Sequence, residues 1–129
     1  APPPRPKSSF WISLRVALAG AGEVLRTERN AQLEAAVAGI AIGLGLALGI
    51  SGVEWALVLV LIGLVLGLEM VNTAVEAAVD LACPERHPLA KKAKDAAAGA
   101  VVLAALVSVG VGIVIFLPRL WSLLRAWLP

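Results

Sequence analysis

Residues 69–80, Glu69-Met70-Val71-Asn72-Thr73-Ala74-Val75-Glu76-Ala77-Ala78-Val79-Asp80, constrain this 129-residue chain more than any other stretch. They close its most hydrophobic run, residues 55–68, and turn it abruptly polar. At about 100° per residue, Glu69, Asn72, Thr73, Glu76 and Asp80 fall on one stripe of a helix. An acid at bilayer depth is costly, so a polar stripe on a membrane helix reads as a site.

The membrane reading rests on composition. The chain is 60% hydrophobic and 16% charged, less polar than a soluble domain of its length. Its length fits one domain, and the hydrophobicity comes in three blocks. These predict an all-α membrane protein with an N-terminal amphipathic surface helix and three transmembrane helices. The net charge of +2 is too small to argue for nucleic acid. A lone cysteine, Cys83, excludes an internal disulfide and a thiolate metal cage.

Taken in order, residues 1–9 are Pro-rich with Arg5 and Lys7 and read as a disordered or extended leader lacking the apolar core of a signal peptide. Residues 10–30 form an amphipathic helix expected to lie in the membrane interface. Phe10, Leu14, Ala17, Ala21, Val24 and Leu25 share its apolar face. Helical phase puts Glu28 on the side of Phe10, facing inward, either as a frayed helix end or as a ligand aimed at the interior. Residues 34–50 are the first span, with Gly39-x-x-x-Gly43 and Gly45-x-x-x-Gly49 permitting close helix approach. Glu34 reads as a complement to the helix dipole. Ser51 and Glu54 make a capping box for the next helix.

That second span, 52–82, is roughly 45 Å long, more than the hydrocarbon needs. Asp80 and Glu76 are therefore expected at the surface, with Glu69 a turn or two inside. A loop carrying Glu85, Arg86 and His87 follows. His87 reads as a loop or cap residue, Pro88 as helix-starting, and Lys91 and Lys92 as lipid-headgroup contacts. The third helix, 90–117, begins polar and becomes apolar near Ala97, and Pro118 is expected to end it. Residues 118–129 read as an interfacial tail with tryptophans at headgroup level.

Basic residues cluster before the first span and between the second and third. The positive-inside rule then puts the N-terminus and the 83–95 loop in the cytoplasm, with Arg119 and Arg125 a minor violation. Glu28 and Glu76 have the oxygen chemistry to hold Mg²⁺, Lys94 can neutralise phosphate oxygens, and Glu69 can take a proton from an alcohol whose tail stays in lipid. These are parts of phosphoryl transfer, which is mostly positioning and charge neutralisation. The chain has no Walker-type or kinase Gly-rich loop, so such a site would lack a soluble nucleotide fold. Asp80 and Asp95 also read as solvated helix-end charges, and Asn72 and Thr73 as bonds to a neighbouring helix.

Glu69-x-x-Asn72-Thr73-Ala74-Val75-Glu76-x-x-Val79-Asp80, His87, and Ala90-Lys91-x-Ala93-Lys94-Asp95-x-Ala97-x-Gly99-Ala100-Val101 resemble the signature of the small prokaryotic diacylglycerol kinase and undecaprenol kinase family. With Glu28 the resemblance spans roughly residues 10–117. It implies a homotrimer and ATP- and Mg²⁺-dependent phosphorylation of a lipid alcohol, undecaprenol or diacylglycerol, at the cytoplasmic face of a prokaryotic plasma membrane. It also implies that Glu69 is the general base and that Glu28 and Glu76 are metal ligands. Glu85, Arg86, His87, Lys94 and Asp95 would contact the nucleotide, with Asn72 and Asp80 in support.

The departures bear on the substrate. Glu28-Arg29-Asn30 resembles the undecaprenol kinase branch, whereas Glu34 is what the diacylglycerol branch tends to show. Ser9 and Val16 replace an arginine and a tyrosine seen near the nucleotide in the diacylglycerol branch. The balance inclines slightly to undecaprenol and leaves the lipid open. Two other classes fit part of the pattern. An ion-translocating ring subunit would use Glu69 but not Glu76, Lys94 and Asp95, and a structural subunit would use the glycines but none of the acids. Three thin helices cannot enclose a nucleotide and a lipid together, which predicts a site shared within an oligomer.

Overall fold

The computed structural model describes residues 9–129 and consists of four helices: α1 (Phe10–Thr27), α2 (Arg29–Leu48), α3 (Gly52–Ala82) and α4 (Pro88–Trp127). There is no strand among the described residues. The leader expected over residues 1–8 lies outside them, and Ser9 caps α1 through its backbone, its carbonyl accepting from Ser13 N–H at 3.0 Å. The last three helices are long and apolar enough to cross a membrane, as the three hydrophobic blocks predict.

The surface helix is shorter than the expected 10–30. At Glu28 the backbone is extended, φ −96° and ψ 117°, and α2 begins at the next residue. No glycine or proline marks this break. Side-chain bonds bracket it instead: Thr27 Oγ1 donates to Glu23 O at 2.9 Å, and Gln32 Nε2 reaches back to Arg26 O at 3.0 Å. Glu28 N–H still closes the last turn of α1 on Val24 O at 2.8 Å, but the face that Glu28 shares with Phe10 is not a buried one. Phe10 is exposed, no residue of α1 is buried, and Glu28 is half-buried.

The α2–α3 connection follows from its residues. Gly49 adopts φ +63°, a left-handed conformation that glycine takes without penalty, and its N–H bonds Gly45 O at 3.0 Å. Ser51 Oγ then accepts from Glu54 N–H at 3.2 Å to start α3. Trp55, one turn into α3, lies against α2. A Cβ at Gly45 would stand 2.8 Å from the Trp55 ring, so glycine is required there for the two helices to meet. Around this end Ile50, Val58, Ile115 and Phe116 form the buried cluster, flanked by Leu44, Leu48 and Ile62.

The third membrane helix is longer than expected. Residues 90–117 lie within α4, but Pro118 does not end it; the helix continues to Trp127, 40 residues and about 60 Å. Proline withholds one N–H, and membrane helices tolerate this where nearby polar groups supply extra hydrogen bonds. The carbonyl that loses its donor is that of Val114; side-chain bonds brace the turns around it, Arg119 Nη1 donating to Ile115 O at 2.9 Å and Ser122 Oγ to Pro118 O at 3.0 Å. Arg119 also bridges to Glu54 on α3, 2.9 Å from its Oε2. Glu54 thus does more than cap: it neutralises the arginine that stood against the charge bias and fastens α4 beyond its proline to the start of α3.

Candidate functional site

The polar stripe of α3 sits at the end of the bundle away from the Gly49 turn, and burial falls along it. Glu69 is 4% exposed and Asn72 8%, whereas Glu76 and Asp80 are exposed. A four-residue helical step brings Asn72 and Glu76 together, and Asn72 Nδ2 donates to Glu76 Oε1 at 3.4 Å. Thr73 turns its hydroxyl into its own helix, donating to Glu69 O at 3.0 Å, so it bonds no neighbouring helix. Asn72 Oδ1 is buried without a hydrogen-bond partner.

The break after α1 decides what Glu28 can do. Its backbone N–H bonds Val24 O and its carbonyl accepts from Gln32 N–H. Its carboxylate makes no capping bond and lies, with that of Glu76, within electrostatic reach of Glu69. The charges of Glu28, from the α1–α2 junction, and of Glu76, from α3, thus both act on the buried end of the stripe. Among the described residues no three His, Cys, Asp or Glu side chains form a closed metal cage. A pair such as Glu28 and Glu76 still suits Mg²⁺, which keeps several waters and takes one or two carboxylates alongside phosphate oxygens.

The other expected residues line a second, adjoining feature. A cleft of about 660 Å³ at the α3–α4 turn is bordered by Asp80, Cys83, Glu85, Arg86, His87, Lys91, Lys94 and Asp95. Pro88 starts α4, and the His87 imidazole caps it, Nδ1 accepting from Leu89 N–H at 3.1 Å. With Nδ1 an acceptor, neutral His87 carries its proton on Nε2, which is left as a donor. Lys94 crosses from α4 to pair with Asp80 on α3, and its ammonium is also within electrostatic reach of Glu76. Lys91 pairs with Asp95 one turn on. Lys91 is therefore a wall of the cleft rather than only a headgroup contact, and neither aspartate is merely solvated. Lys94 is the physical link between cleft and stripe.

Glu34 has a larger part than a complement to the helix dipole. It is half-buried, its Oε2 has no hydrogen-bond partner, and it interacts electrostatically with Glu69. It stands at an apolar cavity of about 420 Å³ between α2, α3 and α4, lined by residues such as Leu33, Leu44, Leu61, Ser108 and Phe116. Among the described residues it is the one charged group lining that cavity. An acid inside a membrane helix is as costly at Glu34 as at Glu69, and the same signal could have found both. Ser9 makes no side-chain capping bond and Val16 is exposed.

Comparison with known proteins gives this geometry a context. The family model for prokaryotic diacylglycerol kinase matches residues 15–116. The chain is 47% identical over 111 residues to an undecaprenol kinase of Bacillus subtilis, covering 86% of this chain and 90% of that protein. It is 40% identical over 117 residues to a diacylglycerol kinase of Synechocystis, covering 90% of this chain and 67% of that one. A diacylglycerol kinase of Haemophilus influenzae is 35% identical over 92 residues, 71% of this chain and 78% of its own length.

Proposed function

Because the chain belongs to the prokaryotic diacylglycerol kinase family of membrane lipid kinases, we propose that it transfers the γ-phosphoryl group of ATP, as its Mg²⁺ complex, to a membrane lipid alcohol at the cytoplasmic interface. One observation carries the reading. A nearly buried acid, Glu69, stands on α3 between the residues that line an apolar cavity suited to a lipid tail, Val58, Leu61, Ile62, Val65 and Leu66, and those that border a charged cleft suited to a polyphosphate, from Asp80 onward.

Glu69 is the general base in this reading. The lipid hydroxyl enters from the apolar side, its proton passes to the Glu69 carboxylate, and its oxygen attacks the γ-phosphorus as the bond to ADP breaks. Burial excludes competing water, which would otherwise accept the phosphoryl group. Glu28 and Glu76 are the carboxylates that would hold Mg²⁺, which when bound neutralises charge on the phosphates. Asn72 keeps Glu76 in place. Lys94 steadies the phosphate chain as a point charge, and Arg86, the His87 Nε2–H, Glu85 and Asp95 border the remainder of the nucleotide. Asp80 supports Lys94.

The basic residues at this end of the bundle, Arg26, Arg29, Arg86, Lys91, Lys92 and Lys94, favour its cytoplasmic placement. A homotrimer with shared sites, which the family resemblance implies, would cover part of the apolar faces that one copy leaves exposed on its three long helices.

Undecaprenol is the first choice of acceptor, on the higher identity to the B. subtilis protein, 47% against 40%, and the larger share of that protein matched, 90% against 67%. The test offers undecaprenol and diacylglycerol side by side in mixed micelles with γ-labelled ATP and Mg²⁺. Label in undecaprenyl phosphate in excess over phosphatidic acid is expected. Label confined to phosphatidic acid reverses the lipid assignment, and label in neither lipid rejects the function.

A further inference from the structure

The nucleotide cleft is charge-balanced as it stands. Of its bordering residues, Asp80, Glu85 and Asp95 are acids and Arg86, Lys91 and Lys94 are cations, so among the described residues it carries no net charge with His87 neutral. Both of its lysines are already paired, Lys94 with Asp80 and Lys91 with Asp95. The two pairs differ in kind. Lys91–Asp95 joins neighbouring turns of α4, with both side chains well exposed, the sort of pair that contributes little. Lys94–Asp80 joins two helices, and although the Asp80 side chain is 64% exposed, that of Lys94 is 36% exposed, less than half as much as Lys91. It fixes the position of the one lysine that stands between cleft and stripe.

An ammonium has three donors and no acceptor, so Lys94 can turn from Asp80 to an incoming phosphate without leaving the cleft. The negative charge of Asp80 would then lie against the incoming phosphate. A like charge at that distance is repulsive, and metal-free ATP carries more negative charge than its Mg²⁺ complex. We infer that Asp80 is a specificity-determining positioning residue: it holds Lys94 at rest, yields it to the phosphate chain when nucleotide enters, and by its own charge makes the cleft favour metal-bound over metal-free nucleotide.

This rests on the reading of the cleft as the nucleotide site, and the experiment separates the two. Binding of a fluorescent ATP analogue to the full chain in micelles is measured with Mg²⁺ and with chelator, for wild type, Asp80→Asn, Asp80→Glu, Lys94→Met and the Asp80→Asn/Lys94→Met pair. Asp80→Asn is expected to tighten metal-free binding by about fivefold, the scale of a partly exposed ion pair, and to narrow the preference for the metal complex. Asp80→Glu should restore that preference, and the gain should vanish in the double variant. Unchanged or weaker metal-free binding by a folded Asp80→Asn protein overturns the inference. Lys94→Met should itself weaken nucleotide binding by about tenfold or more; no effect there rejects the cleft as the nucleotide site.

A second measurement needs no variant. A carbodiimide should couple the Asp80 carboxylate to the Lys94 amine in the resting wild-type protein, read as a cross-linked peptide by mass spectrometry. Saturating Mg²⁺ and ATP should suppress that peptide. A yield unchanged by nucleotide overturns the exchange of partners.

Discussion

Asn72 does two things with one amide. Its Nδ2 steadies Glu76, while its Oδ1 is buried with no partner in the chain, an arrangement that costs stability unless something else donates. Residues that orient a metal-holding carboxylate typically matter ten- to a hundredfold in affinity or activity. Asn72→Ala is therefore expected to lower activity by about that range and to raise the Mg²⁺ concentration needed for half-maximal rate more than the ATP concentration. A Mg²⁺ requirement equal to wild type would remove Glu76 from the metal site. The sequence pattern picks out Asn72 and Glu76 because helical spacing puts them on one stripe with Glu69. It also points Glu28 inward, but it does not foresee that α1 ends there, because neither glycine nor proline announces the break. It undervalues Glu34 because an acid near a helix start has an ordinary electrostatic explanation, and only the three-dimensional packing exposes the apolar cavity beside it.

The helices show the same division. Periodicity and hydrophobicity locate the three spanning elements, and the Ser51–Glu54 cap that starts α3 is readable from its residue types, whereas Gly49, read as a helix-packing glycine, instead ends α2 in a left-handed conformation. The length of α4 is not readable either, because Pro118 stops a helix in water and need not stop one in a membrane. What secures the extension is a contact 65 residues apart in the chain, Arg119 Nη2 to Glu54 Oε1 at 3.1 Å, which no local pattern reveals. Both partners are partly shielded, so the pair should contribute toward the upper end of the range for surface bridges, about 1 kcal/mol. A double-mutant cycle with Glu54→Gln and Arg119→Gln, read by thermal unfolding in detergent, is expected to give that coupling. A coupling indistinguishable from zero would mean that the bridge does not hold the extension.

One copy of this chain is an incomplete object in water. Large side chains such as Val37, Val60, Val114 and Leu106 are exposed along the spanning helices, a continuous apolar surface that only lipid or further protein can cover. Glycines at 39, 43, 63, 67 and 110 have open space where a Cβ would be, room for another helix to approach closely. Light scattering in detergent is expected to find three copies per particle, with dilution to monomer abolishing activity; a fully active monomer would contradict the shared site.

The central claim is that a nearly buried carboxylate on α3 takes the proton of a lipid alcohol beside a nucleotide held by α3 and α4. Its most direct test is single-turnover transfer of γ-labelled phosphate to lipid by wild type and Glu69→Gln, with nucleotide binding measured on the same preparations. Bound nucleotide should be retained while transfer falls by about 10²–10⁴-fold, the contribution of a positioned general base. Transfer at the wild-type rate by the Glu69→Gln variant would contradict the account.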